Sequence, residues 1–174
     1  MNFKAYYGLS CNPFDKHSLK ISDSFESADQ KSMMNRLSYL KDVRGIGVFT
    51  ASPGMGKSFC LRQFESSLNK NLYDMKYICL STVSVGEFYK QLCDQLGLET
   101  KGGKTVMFKA IQDRIHYLYK EKKQPLILAI DEAQYLSNAV LKDLKMLMNF
   151  NYDSLNCFTL ILSGEPYLNK KKKK

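Results

Sequence analysis

The chain has 174 residues, 44% of them hydrophobic and 25% charged, and a formal net charge of +9. That length suits about one domain with a buried core, and the composition is that of an ordinary soluble globular protein. No apolar run approaches the ~20 residues of a membrane helix, and the opening Met1-Asn2-Phe3-Lys4-Ala5-Tyr6-Tyr7 has neither an apolar signal core nor a cleavage site, so a cytoplasmic chain without a membrane segment is expected.

Residues 1–28 form a polar N-terminal arm, after which strands and helices alternate. Asp29 to Val43 carries Met33, Leu37 and Leu40 on one helical face. Gly45-Ile46-Gly47-Val48-Phe49-Thr50 is a short apolar strand that runs straight into a Gly-rich turn, and a helix follows from Lys57 with Leu61, Phe64 and Leu68 at spacings of three and four. Met75 to Leu80 reads as a second strand. Ser84 and Glu87 have capping-box spacing and open a helix with Phe88, Leu92 and Leu96 inward and Gly97 as its stop. Beyond Lys101-Gly102-Gly103-Lys104 comes a helix with Phe108, Ile111, Ile115 and Leu118 on one side. Leu126 to Ile130 is a continuous apolar strand of the kind buried on both faces. Ser137 caps a helix bearing Val140, Leu141, Leu144, Leu147 and Met148, and the last strand runs from Cys157 to Leu162.

This alternation implies a mainly parallel sheet with helices on both faces, a three-layer α/β core over residues 29–169. Ligands in such sheets sit at the carboxyl ends of the strands, where two motifs fall. The first is Ala51-Ser52-Pro53-Gly54-Met55-Gly56-Lys57-Ser58, between strand and helix. A turn of backbone N–H groups at a helix N-terminus can replace the water around a triphosphate, helped by the helix dipole. Gly54 and Gly56 suit positions where φ is positive or a side chain would block the approach. Lys57 is then a point charge for the β- and γ-phosphates, the Ser58 hydroxyl a ligand for Mg²⁺, and Phe59 continues the loop into the helix. The pattern opens on Ala51 where the strict form has glycine. The plain alternative is a Gly-Pro turn.

The second motif is Asp131-Glu132, directly after the apolar strand. Asp131 is placed to hold Mg²⁺ through water and Glu132 to polarise the attacking water as general base; read alone, the pair is equally a solvated start to a loop. Ser163, before Gly164, is either a contact to the γ-phosphate or part of a Ser-Gly turn. The five cysteines include no C-x-x-C pair and there are two histidines, so a zinc site is not expected. Lys170 to Lys174 hold five of the positive charges, leaving +4 for the rest. Such a run is a solvated, disordered tail, a sequence-blind grip on phosphate backbones, or a frameshift scar. Lys101, Lys104, Lys109, Lys142 and Lys145 are either DNA contacts or a solvated face.

Together the phosphate loop, the strand ending in Asp131-Glu132 and the strand ending at Ser163 resemble the AAA+ P-loop ATPases. Within that class, Tyr7-Gly8-Leu9-Ser10-Cys11-Asn12-Pro13-Phe14 with Phe25-Glu26-Ser27, and Asp131-Glu132-Ala133-Gln134 with the helix running to Asn149-Phe150, look like the ExeA-like ATPases. That group includes secretion-pathway ATPases and the TnsC/TniB-like helpers of bacterial transposons. The resemblance implies ATP and Mg²⁺ as ligands, Pro13 and Phe14 near the adenine base, and homo-oligomers. Its transposition branch implies assembly on double-stranded DNA and a transposase partner, and is preferred here over a secretion-associated ATPase. Modules of the class continue with a further strand, an arginine finger and a helical lid; here no arginine follows Arg114. The resemblance therefore implies an incomplete module in which turnover is slow or absent, a nucleotide-binding fragment being the third reading.

Overall fold

A computed structural model describes residues 3–10, 12, 25–79, 84–150 and 154–171. After a one-turn helix α1 (Phe3–Tyr6), the order is α2 (Ala28–Val43), β1 (Ile46–Thr50), α3 (Lys57–Ser67), β2 (Asp74–Cys79), α4 (Val85–Gln95), α5 (Lys104–Lys120), β3 (Leu126–Asp131), a 3₁₀ turn (Ala133–Tyr135), α6 (Asn138–Leu147), β4 (Thr159–Gly164) and α7 (Leu168–Lys171). The four strands form one parallel sheet in the order β1-β4-β3-β2. β3 and β4, the central pair, are buried at every residue, as their unbroken apolar runs require.

Strand alternation sorts the core into two apolar layers. Ile127, Ala129 and Ile161 point one way and pack with Leu37 of α2 and Leu61 and Phe64 of α3. Leu126, Leu128, Ile130, Leu160 and Leu162 point the other way, against α4, α5 and α6. Helices therefore cover both faces, the three-layer arrangement the sequence implies. The local signals act as the residues dictate. Ser27 and Ser137 accept from Gln30 N and Val140 N, and both halves of the Ser84–Glu87 capping box are formed. Gly97, at φ 66°, stops α4.

The first two strands start within one residue of the sequence reading, at Ile46 and Asp74, and the bounds of the last are corrected. The last strand begins at Thr159 and runs through Ser163 to Gly164, where the sequence suggests Cys157 to Leu162. Cys157 and Phe158 are fully buried but lie ahead of the ladder, whereas Phe49 and Thr50 of β1 pair with Ser163 and Gly164. Ser163 is thus inside the sheet. Among the described residues no helix is long and apolar enough to cross a membrane.

Candidate functional site

The carboxyl ends of β1, β4 and β3 lie side by side, with Thr50 beside Gly164 and Ile130 beside Leu162. That register brings the phosphate-type loop, Ser163 and Asp131-Glu132 to one edge of the sheet. Ala51 N donates to Gly164 O at 3.2 Å, fastening the start of the loop to the end of β4. Ser52, Pro53, Gly54 and Met55 are exposed. Gly54 and Gly56 sit at φ 79° and 82° with open space where a Cβ would stand. Both thus need glycine for backbone conformation. Gly56 is also the N-cap of α3, so the first N–H groups of Lys57, Ser58 and Phe59 have no acceptor within the helix. They face the position an anion takes at a helix N-terminus.

Lys57 folds back over its own loop. Its Nζ donates to Ala51 O at 2.8 Å and Ser52 O at 3.1 Å. Those are carbonyl acceptors, weaker partners for an ammonium than a phosphate oxygen would be. Phe59 is half-buried at the base of α3, under the Arg62 guanidinium at 5.8 Å.

Asp131 is only 1% exposed, and its carboxylate is surrounded by donors. Oδ2 accepts from Ser58 Oγ at 2.6 Å and from the Tyr77 hydroxyl at 2.9 Å, while Oδ1 accepts from Glu132 N at 3.0 Å. Burial pushes the carboxyl up, but the hydroxyls of Ser58, Ser163 and Tyr77 and the Glu132 N–H outweigh it and hold Asp131 below its ordinary value. Burial, and then Asp131 itself, pushes the Tyr77 phenol well up. Ser163 lies close enough to favour the charged aspartate, yet its fully buried Oγ makes no hydrogen bond of acceptable geometry among the described residues. Tyr77 carries no motif. It shares a sheet face with Asp131 because Cys79 pairs with Asp131 and side chains alternate.

Glu132 adopts φ 54° and ψ 34°, left-handed for a residue with a side chain, an arrangement that costs roughly 1–2 kcal/mol. Its Oε2 accepts from Gln134 Nε2 at 2.6 Å, and Gln134 Oε1 accepts in turn from Glu165 N at 3.0 Å. Beside the loop opens a cleft of about 430 Å³, lined among others by Asp29, Met33 and Arg36 of α2, Phe49, Ala51 and Lys57. It is the size of a nucleoside-scale pocket. Pro13 and Phe14 lie outside the described residues.

The donor set suits a magnesium-bound triphosphate. Ser58 Oγ and the Asp131 carboxylate are hard oxygen donors already within 2.6 Å of one another. Among the described residues no group of three or more His, Cys, Asp or Glu could hold a metal alone. The structure thus brings together Ala51–Ser58, Asp131, Glu132 and Ser163.

A family model described as "AAA domain" matches residues 40–171. The chain is also 27% identical, over 173 residues, to General secretion pathway protein A of Aeromonas hydrophila; the match takes in 95% of this chain and 30% of that protein, so the chain spans under a third of the curated relative. The crystal structure of Cdc6p from Pyrobaculum aerophilum superposes with a TM-score of 0.59 at 18% identity, over 86% of this chain and 43% of that one, a likeness of fold.

Proposed function

The chain belongs to the AAA domain family, and from that premise we propose that it binds ATP with Mg²⁺ at the Gly54–Ser58 loop and hydrolyses it. The observation that carries the reading is the Ser58–Asp131 contact of 2.6 Å, which sets a hydroxyl and a charged carboxylate beside an anion-receptive helix N-terminus. On binding, Lys57 exchanges the Ala51 and Ser52 carbonyls for β- and γ-phosphate oxygens, and the N–H groups of α3 donate to the phosphate oxygens. Magnesium, when bound with the nucleotide, neutralises charge on the transferring phosphoryl group. Ser58 and Asp131 are the groups that would hold it, Asp131 through water. Glu132 takes a proton from the water that attacks the γ-phosphorus as the bond to the ADP leaving group breaks, and Ser163, buried at the end of β4, is the group that would contact the γ-phosphate. The cleft between α2 and the loop is the place we assign to the base, with Pro13 and Phe14 as the contacts that the family resemblance implies.

Isothermal titration with Mg-ATP, alongside phosphate release, tests the reading. Saturable binding lost in Lys57→Ala is expected, and binding that survives that change sinks it.

Two partner classes follow. Similarity across 95% of the chain to General secretion pathway protein A favours a secretion-associated ATPase. A DNA-transposition helper, assembling as a homo-oligomer on double-stranded DNA and acting on a transposase, is supported by the motif resemblance alone. Sedimentation with duplex DNA, with and without a non-hydrolysable ATP analogue, separates them. Salt-sensitive, nucleotide-dependent assembly supports the helper; no DNA binding at low salt supports the secretion class.

A further inference from the structure

We propose that Gln134 is the positioning residue of this site: its side-chain amide ties the Glu132 carboxylate to the backbone leaving β4, so that the proton acceptor and the strand carrying Ser163 move as one unit. The proposal rests on the role of Glu132 given above. Gln134 Nε2 donates to Glu132 Oε2 at 2.6 Å and its Oε1 accepts from Glu165 N at 3.0 Å. The chemistry of the two ends fixes the amide's orientation. A backbone N–H can only donate and a carboxylate can only accept, so a flipped amide would break both bonds. Gln134 is 5% exposed, which keeps water from substituting for it.

Two further features single out this bridge. Glu132 is held in a left-handed conformation, and its carboxylate is fixed on the far side by Gln134 while its N–H is fixed by Asp131 Oδ1. With Oε2 engaged, Oε1 is the oxygen left to meet a water. On the other side, any Cβ at Gly164 would collide with Gln134 Oε1, and it would stand 3.4 Å from the N atoms of Ala133 and Gln134. Gly164 has an ordinary negative-φ strand conformation, so its lack of a side chain serves space; the space is filled by the Gln134 amide. The strand after Ser163 and the turn after Glu132 are thus joined by one side chain, and a shift of Ser163 toward a γ-phosphate reaches Glu132 through Gln134.

Three variants separate this role from a merely structural one. Gln134→Glu keeps an acceptor for Glu165 N and removes the donor to Glu132. Gln134→Leu removes both. Gly164→Ala expels the amide without touching it chemically. In the nucleotide-free protein, hydrogen exchange at the Glu165 N–H should be protected in the parent and in Gln134→Glu, and unprotected in Gln134→Leu and Gly164→Ala. Adding a Mg²⁺-bound non-hydrolysable ATP analogue should change that exchange in the parent only. In steady state all three variants should lose about 10- to 100-fold in kcat, with KM within about twofold, as a misaligned general base implies.

Equal Glu165 exchange in parent and Gln134→Leu overturns the bridge. Bound analogue with no change at Glu165 in the parent, or kcat retained in Gln134→Leu, overturns the coupling while leaving the nucleotide site standing. A parent that binds no nucleotide at all overturns the site and this proposal with it.

Discussion

Removal of the Tyr77 hydroxyl by Tyr77→Phe is a perturbation whose size can be worked from the geometry. The phenol donates at 2.9 Å to an oxygen that also receives Ser58, and the acceptor is a carboxylate 1% exposed. Hydrogen bonds to charged groups contribute about 1.5–3 kcal/mol net. Tyr77 is 39% exposed, so water partly replaces its hydroxyl, and Ser58 and the Glu132 N–H remain. The low end applies, about 1.5 kcal/mol, or roughly 3–6 °C in Tm for a chain of this size. The pH dependence has a definite sign. Asp131 is held below its ordinary value in the folded state, so the stability it contributes is complete above the unfolded carboxylate range and is lost as pH falls through the lower folded value. Tyr77 bonds the charged form. Urea melts of parent and variant should therefore differ by a constant amount from neutral to mildly acidic pH, and converge in stronger acid. A variant as stable as the parent at neutral pH, or a gap that persists unchanged in acid, would refute the reasoning.

Lys57→Ala should remove the ~2.7 kcal/mol of stabilisation that Mg-ATP gives the parent at about 100 times its Kd, read as a thermal shift that is lost relative to the variant's own nucleotide-free melt. Glu132→Gln should bind Mg-ATP as the parent does while phosphate release falls by about 10²- to 10⁴-fold; full-rate release would remove Glu132 from the chemistry. Ser84→Ala should cost about 1 kcal/mol in a denaturant melt by uncapping α4; a variant as stable as the parent would remove the cap from the account.

What the sequence discloses and what it withholds divide along physical lines. The phosphate-type loop is legible because Gly54 and Gly56 must adopt positive φ and Lys57 must follow them, all local requirements. The helices are legible because their caps and faces are local too: Ser84 with Glu87, and Phe88 with Leu92 and Leu96. The start of β4 is not, because Cys157 and Phe158 are as apolar and as buried as the strand that follows, and pairing of Thr159 with Ile127 of β3 decides the boundary. Tyr77 and Gln134 escape for the same reason at larger scale. Tyr77 matters only once β2 lies beside β3 in the register that pairs Cys79 with Asp131. Gln134 matters only once β4 delivers Glu165 N to it. Strand order is a tertiary fact, and neither hydrophobic period nor motif spacing encodes it.

A crystal structure with Mg²⁺ and a non-hydrolysable ATP analogue tests the central claim most directly. The account predicts the triphosphate against the N–H groups of Gly54 to Ser58, Lys57 Nζ moved from the Ala51 and Ser52 carbonyls onto phosphate oxygens, and Ser58 turned from Asp131 toward the metal. A loop without nucleotide, with Lys57 still bonded to its own backbone, would contradict it.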